Sequence, residues 1–149
     1  MTKRITALAL LVGIFGSVAT AEAAIRPGVY RGKTTQNAVV QLKVLTSKKA
    51  IIKFSWEGAA MGCTDGQTRD IAGGTTGSRQ KIALSRSGRF GFGAQLGDAA
   101  EFATEGRVSG NRATGALQVQ ARVNEQSQLD PQGSIVCDSE IVEYSLRRR

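Results

Sequence analysis

Between residues 106 and 123 the chain alternates apolar and polar side chains on either side of a Gly-Asn pair, and that pattern admits one local structure. Leu117, Val119, Ala121 and Val123 share one parity while Gln118, Gln120 and Arg122 share the other, the two-residue period of a half-buried β-strand. Before the turn Val108 alternates with Arg107 and Ser109, and Gly110-Asn111 are residue types that accept positive φ in a tight hairpin. One hairpin cannot cover its own apolar face. Leu117, Val119 and Val123 therefore demand a second layer or a closed barrel.

The same period recurs along the chain. Residues 28–34 form a short strand; residues 39–45 place Val40, Leu42 and Val44 on one face; residues 50–57 place Ile52, Phe54 and Trp56 inward, with Ser47-Lys48-Lys49 as the intervening turn. Strand character continues over 79–85, over 89–96 through Phe90, Phe92, Ala94 and Leu96, over 99–105, over 133–137, and over 141–147 through Val142, Tyr144 and Leu146. Residues 58–77 lose the alternation and read as the longest irregular stretch, and 124–133, with Pro131, reads as a loop. No segment sustains a 3.6-residue apolar period. The expected fold is all-β, an antiparallel β-sandwich or flattened β-barrel of about 8–10 short strands. Pairing of the first strand, at Tyr30, with the last, at Leu146, would remove open edges.

Lys3 and Arg4, the apolar run 5–18 and the small-residue sites Ala19-Thr20-Ala21 and Ala21-Glu22-Ala23 read as a secretory signal peptide over 1–23, followed by a single all-β domain over 24–149. The run is shorter than the roughly 20 residues that span a bilayer, and no later run is long enough, so no transmembrane segment is expected after cleavage. The expected location is exported: periplasmic, cell-surface or extracellular. Removing Lys3, Arg4 and Glu22 leaves 18 basic and 11 acidic residues, a net charge of +7. In an oxidising compartment the two cysteines, Cys63 and Cys137, are expected to form one structural disulfide.

Several motifs along the domain carry a resemblance. Gly28, Tyr30, Gly32 and Thr34 form G-x-Y-x-G-x-T; Cys63 follows the third strand; Gly88, Arg89 and Phe90 form G-R-F. Gly106, Gly110, Ala113, Gly115 and Leu117 form G-x-x-x-G-x-x-A-x-G-x-L, and Cys137-x-Ser139 precedes a strand with Arg147 near its end. In this order they resemble a class of small exported bacterial β-proteins. The resemblance implies fold and export and assigns no activity. The chain departs from it at Glu140, where a glycine is common, and at Tyr144, where a tryptophan is common.

The chain has no histidine, which excludes Ser-His-Asp and Cys-His triads and histidine-based zinc sites. Asp65 and Asp70 match neither an EF-hand nor a glycine-aspartate repeat and read as turn residues, so no metal and no cofactor is expected. Arg89-Phe90-Gly91-Phe92-Gly93 is similar to an RNA-stacking strand but lacks the glycine between the basic residue and the first phenylalanine. Phe90 and Phe92 are therefore assigned to the core, and no nucleic-acid partner is expected. Trp56, Tyr30 and Tyr144 would stack on sugar rings if exposed in a row, although the parity of Trp56 favours burial. Lys48, Lys49 and the terminal Arg147, Arg148 and Arg149 would attract anionic polymers or lipid head groups. The favoured expectation is a non-catalytic exported β-domain that binds or coats an anionic or polysaccharide component of the cell envelope. Its alternatives are a small-ligand carrier in a barrel lumen and a hydrolase using paired carboxylates, with Glu101 and Glu105 as the candidate pair.

Overall fold

The computed structural model of the chain describes residues 23–76 and 81–149. The expected signal segment lies outside the described residues except for Ala23, as do Arg79 and Gln80, the first two residues of the strand read over 79–85. The strands are β1 (Gly28–Thr34), β2 (Val39–Val44), β3 (Ala50–Cys63), β4 (Thr68–Thr76), β5 (Ile82–Ala83), β6 (Arg89–Leu96), β7 (Ala100–Ser109), β8 (Arg112–Val123), β9 (Ile135–Asp138) and β10 (Val142–Arg148). No helix occurs among the described residues.

Six of these strands close a barrel in the order β10-β1-β2-β3-β9-β8 and back to β10, so of the two expected architectures the barrel is the one adopted. The expected pairing of the first and last strands is present, with Tyr30 opposite Arg148 and Gly32 opposite Leu146. Closure depends on two long strands that each carry two partners along one edge. β3 pairs with β2 over Ile51–Glu57 and with β9 at Gly62 and Cys63. β8 pairs with β10 over Arg112–Leu117 and with β9 over Gln120–Val123. The opposite edge of β3 takes β5 and β4, and that of β8 takes β7 followed by β6.

The hairpin between β7 and β8 forms as the sequence predicts, but only Gly110 takes a positive φ, 56°, and Asn111 does not. One left-handed residue at the first turn position suffices for a two-residue hairpin. Two other expectations are corrected by β-bulges in β3. The register shifts beside Lys43 and Val44, so Ile51 rather than Ile52 pairs with Val44 and is fully buried. It shifts again between Trp56 and Ala59, at Gly58 with φ 75°. Inward parity therefore passes from even residues (Phe54, Trp56) to odd ones (Ala59, Met61). That switch hides the strand in the sequence. Of residues 58–77, expected to be irregular, all but Gly77 lie among the described residues and are the end of β3, a turn and β4, paired from Ala59↔Ile71 to Gly62↔Thr68.

The interior is filled. Trp56 and Phe102 lie 4.7 Å apart, Phe54 and Tyr144 5.9 Å, and Phe92 and Phe102 5.8 Å. Phe90 is buried as expected, and Phe92 packs against the core from a partly buried position. Charged side chains occupy the outer face, among them the exposed Arg31, Lys43, Arg112 and Arg147, the reverse of the apolar exterior of a lipid-spanning barrel. No helix among the described residues is long and apolar enough to cross a membrane.

Cys63 and Cys137 face each other where β3 meets β9 and form the expected disulfide across a separation of 74 residues. A chain-entropy argument gives such a cross-link about 4 kcal/mol. Serine at both positions should lower the unfolding free energy by about that amount, read as a fall in denaturant midpoint; an unchanged midpoint would mean that the β9 pairing holds without it. At the β9–β10 turn Glu140 adopts φ 55°, a left-handed conformation that glycine enters freely. The strain of about 1–2 kcal/mol exceeds the entropy a glycine forfeits, so Glu140→Gly should raise stability by about 0.5–1 kcal/mol in the same assay. A loss would assign the Glu140 side chain a stabilising contact.

Candidate functional site

The motif residues are consumed by the fold. The Tyr30 hydroxyl lies 2.6 Å from the Arg26 carbonyl and 2.8 Å from that of Gly110, tying β1 to the β7–β8 turn. Thr34 Oγ1 accepts from the backbone N–H of Ala38 at 3.0 Å and closes the β1–β2 turn. Ser139 Oγ accepts from Val119 N–H and donates to the Glu140 carbonyl, each at 2.8 Å, holding the end of β9 against β8. Phe90, Gly106, Gly115, Tyr144 and Thr34 are opposed in turn across five strands and form one inward row. The glycines leave room for the rings: a Cβ at Gly106 would lie 2.8 Å from Phe90 Cζ and 2.9 Å from Tyr144 Oη.

The aromatic platform expected of Trp56, Tyr30 and Tyr144 is corrected, because all three are buried and cannot stack on a sugar from the surface. Cross-strand opposition explains it: each stands on the inward parity of its strand. Trp56 Nε1 is a buried side-chain polar atom without a hydrogen-bond partner among the described residues. Glu101 and Glu105 share the outer face, yet four residues of strand separate them by about 13 Å, beyond the roughly 5–9.5 Å of paired glycosidase carboxylates. Arg69 grips Asp65 at two points, 2.7 and 3.0 Å, and holds its carboxyl down at about 2. Asp70 stands on β4 opposite Ala60.

The basic candidates separate. Lys48, at φ 59°, and Lys49 lie in the β2–β3 turn at one end of the barrel. The terminal arginines belong to the last strand and its end and not to a loose tail. Arg148 turns to the barrel end, its Nε donating to the Pro27 carbonyl at 2.7 Å, and the backbone N–H of Arg149 bonds to the Val29 carbonyl at 2.9 Å. Arg147 points outward, opposite Arg31 of β1 on one side and Arg112 of β8 on the other.

Arg31, Arg147 and Arg112 thus form a ladder across three adjacent strands spaced about 4.8 Å apart. All three are exposed, and none forms an ion pair or side-chain hydrogen bond among the described residues. Like charges placed directly opposite are unfavourable, so the fold gains nothing from this row. Lys43 and Lys53, themselves opposed across β2 and β3, extend the positive surface toward the Lys48–Lys49 turn. Sequence parity marks Arg31 and Arg112 as outward but cannot show that Arg147 lies between them, because the pairing joins residues far apart in the chain.

Beside the ladder is a groove of about 850 Å³ on the outside of the sheet. Its outward side chains come from the rows flanking Gly106 and Gly115. The nearer row carries Thr114 and Ser145, with Lys33 at one end and Arg107 followed by Arg89 at the other; the farther row carries Glu105 and Glu143 on either side of Ala116. Comparison with protein-family models, curated proteins and solved structures finds no match to this chain.

Burial pushes the Tyr144 phenol up to about 12, the Thr104 hydrogen bond acting against it and the charge of Glu105 with it. Burial also raises Tyr30. Because the folded value exceeds the ordinary 10.0, this stabilisation is complete below pH 10 and is lost as pH rises toward 12. Stability should fall by on the order of 2–3 kcal/mol across that window from Tyr144 alone. Tyr144→Phe should be about 1 kcal/mol less stable at pH 7 and show a visibly shallower alkaline decline. Parallel declines for the two proteins would remove Tyr144 as the source.

Proposed function

We propose that this chain is an exported, non-catalytic β-barrel domain whose basic outer face binds an anionic polymer of the cell envelope. The observation that carries the reading is the Arg31–Arg147–Arg112 ladder, in which three guanidinium groups stand side by side without a carboxylate to neutralise them. Guanidinium recognises carboxylate and phosphate in two-point fashion and is less strongly hydrated than ammonium, which suits a row of oxyanions. The net positive charge adds long-range attraction. Export is supported by the leader-like residues 1–23, by the disulfide, which belongs in an oxidising environment, and by the resemblance to small exported bacterial β-proteins. The lumen-carrier alternative gains no support from an interior occupied by Phe54, Trp56, Phe102 and Tyr144.

The test is binding of the mature, oxidised protein to polygalacturonate, polyphosphate and neutral dextran by calorimetry at several salt concentrations. Wild type should bind an anionic probe, ignore dextran and weaken steeply with salt. Replacing Arg31, Arg147 and Arg112 by glutamine together should reduce binding at least tenfold. Arg147→Gln alone should be slightly more stable than wild type at low salt, since it removes the middle of three opposed charges. Undiminished binding by the triple variant, or none by wild type, would reject the reading.

A further inference from the structure

The outer face is ordered by charge along the strands. The arginine ladder is followed one outward row later, about 7 Å along each strand, by Thr114 and Ser145, which stand between Arg107, with Arg89 beyond it, on one side and Lys33 on the other, and about 7 Å beyond these by Glu105 and Glu143. The hydroxyls of Thr114 and Ser145 and the carboxylates of Glu105 and Glu143 make no side-chain hydrogen bond or ion pair among the described residues, so their polar atoms face the groove unengaged. A polymer charged on every side would gain at the ladder and at the cations that end the next row, and be repelled at the two glutamates in the middle of the groove. A polymer with acid groups along one edge and hydroxyl groups along the other would be complemented at every row.

We infer that the polymer bound by this face is an acidic polysaccharide, its carboxylates lying on Arg31, Arg147 and Arg112 and its sugar hydroxyls turned into the adjacent groove. This rests on the proposed binding role and specifies the ligand class. Thr114 and Ser145 offer hydroxyls that both donate and accept, and ionised Glu105 and Glu143 accept from sugar hydroxyls. Ala116 between the two glutamates keeps the groove open where the sugar ring would lie. The glutamates also discriminate against uniformly charged chains, because like-charge juxtaposition disfavours the wrong partner.

The experiment compares polygalacturonate with polyphosphate at matched charge concentration, using wild type, a Thr114→Val/Ser145→Ala variant, a Glu105→Gln/Glu143→Gln variant and the arginine triple variant, each checked for folding by thermal unfolding. Wild type should prefer polygalacturonate at least fivefold. The hydroxyl variant should lose several-fold affinity for polygalacturonate and none for polyphosphate, and the glutamine variant should gain affinity for polyphosphate. The arginine variant should lose both ligands. Equal binding of both polymers, unaffected by the groove variants but abolished by the arginine variant, would overturn the polysaccharide inference and leave the polyanion reading standing. Absence of binding to either polymer would overturn both.

Discussion

The barrel closes through β9, a strand of four residues that reaches β3 by only two residue pairs, Gly62↔Asp138 and Cys63↔Cys137. Its other edge meets β8 over four pairs. So short a pairing cannot hold two long strands together by backbone hydrogen bonds alone, and the disulfide sits in the pair that needs it. Closure separates the chain into an inward and an outward set of side chains. Once β3 and β8 are bridged by β9 above and by β2, β1 and β10 below, every residue on these strands is committed to one side of the wall.

The inward set is aromatic and tightly packed, and glycines make that packing possible. Phe90 and Tyr144 lie over Gly106 and Gly115, where any larger side chain would strike a ring or a backbone oxygen. The outward set is free of packing demands, and its charges can be arranged for another purpose. They fall into rows: lysines at β2 and β3, arginines at β1, β10 and β8, then two hydroxyls set between Arg107 and Lys33, then glutamates. A ladder of opposed arginines is a local conflict in folding terms, and such conflicts mark the places where a sequence answers to something other than its own stability.

Much of the fold was legible in the alternation of Leu117, Val119, Ala121 and Val123, in the paired first and last strands, and in the two cysteines. The misreadings were local and share one cause. A bulge shifts parity by one, so Ile51 replaced Ile52 inside and the strand through Ala59 and Met61 looked irregular. Tyr30 and Tyr144 looked like candidate sugar platforms because a short strand cannot declare from its own residues which of its faces is covered. Of the basic candidates, only Arg147 entered the ladder.

Residue pattern by itself determined strand content, hairpin position, disulfide identity and the sign of the surface, because each depends on neighbours a few residues apart or on composition. Tertiary structure alone decided that the sheet closes instead of stacking, that residues 31, 112 and 147 become neighbours, and that hydroxyls and glutamates lie in rows beside them. Those outcomes depend on strand order and register between segments separated by many residues. Long-range pairing is set by the simultaneous burial of all inward side chains, which no single stretch of sequence contains.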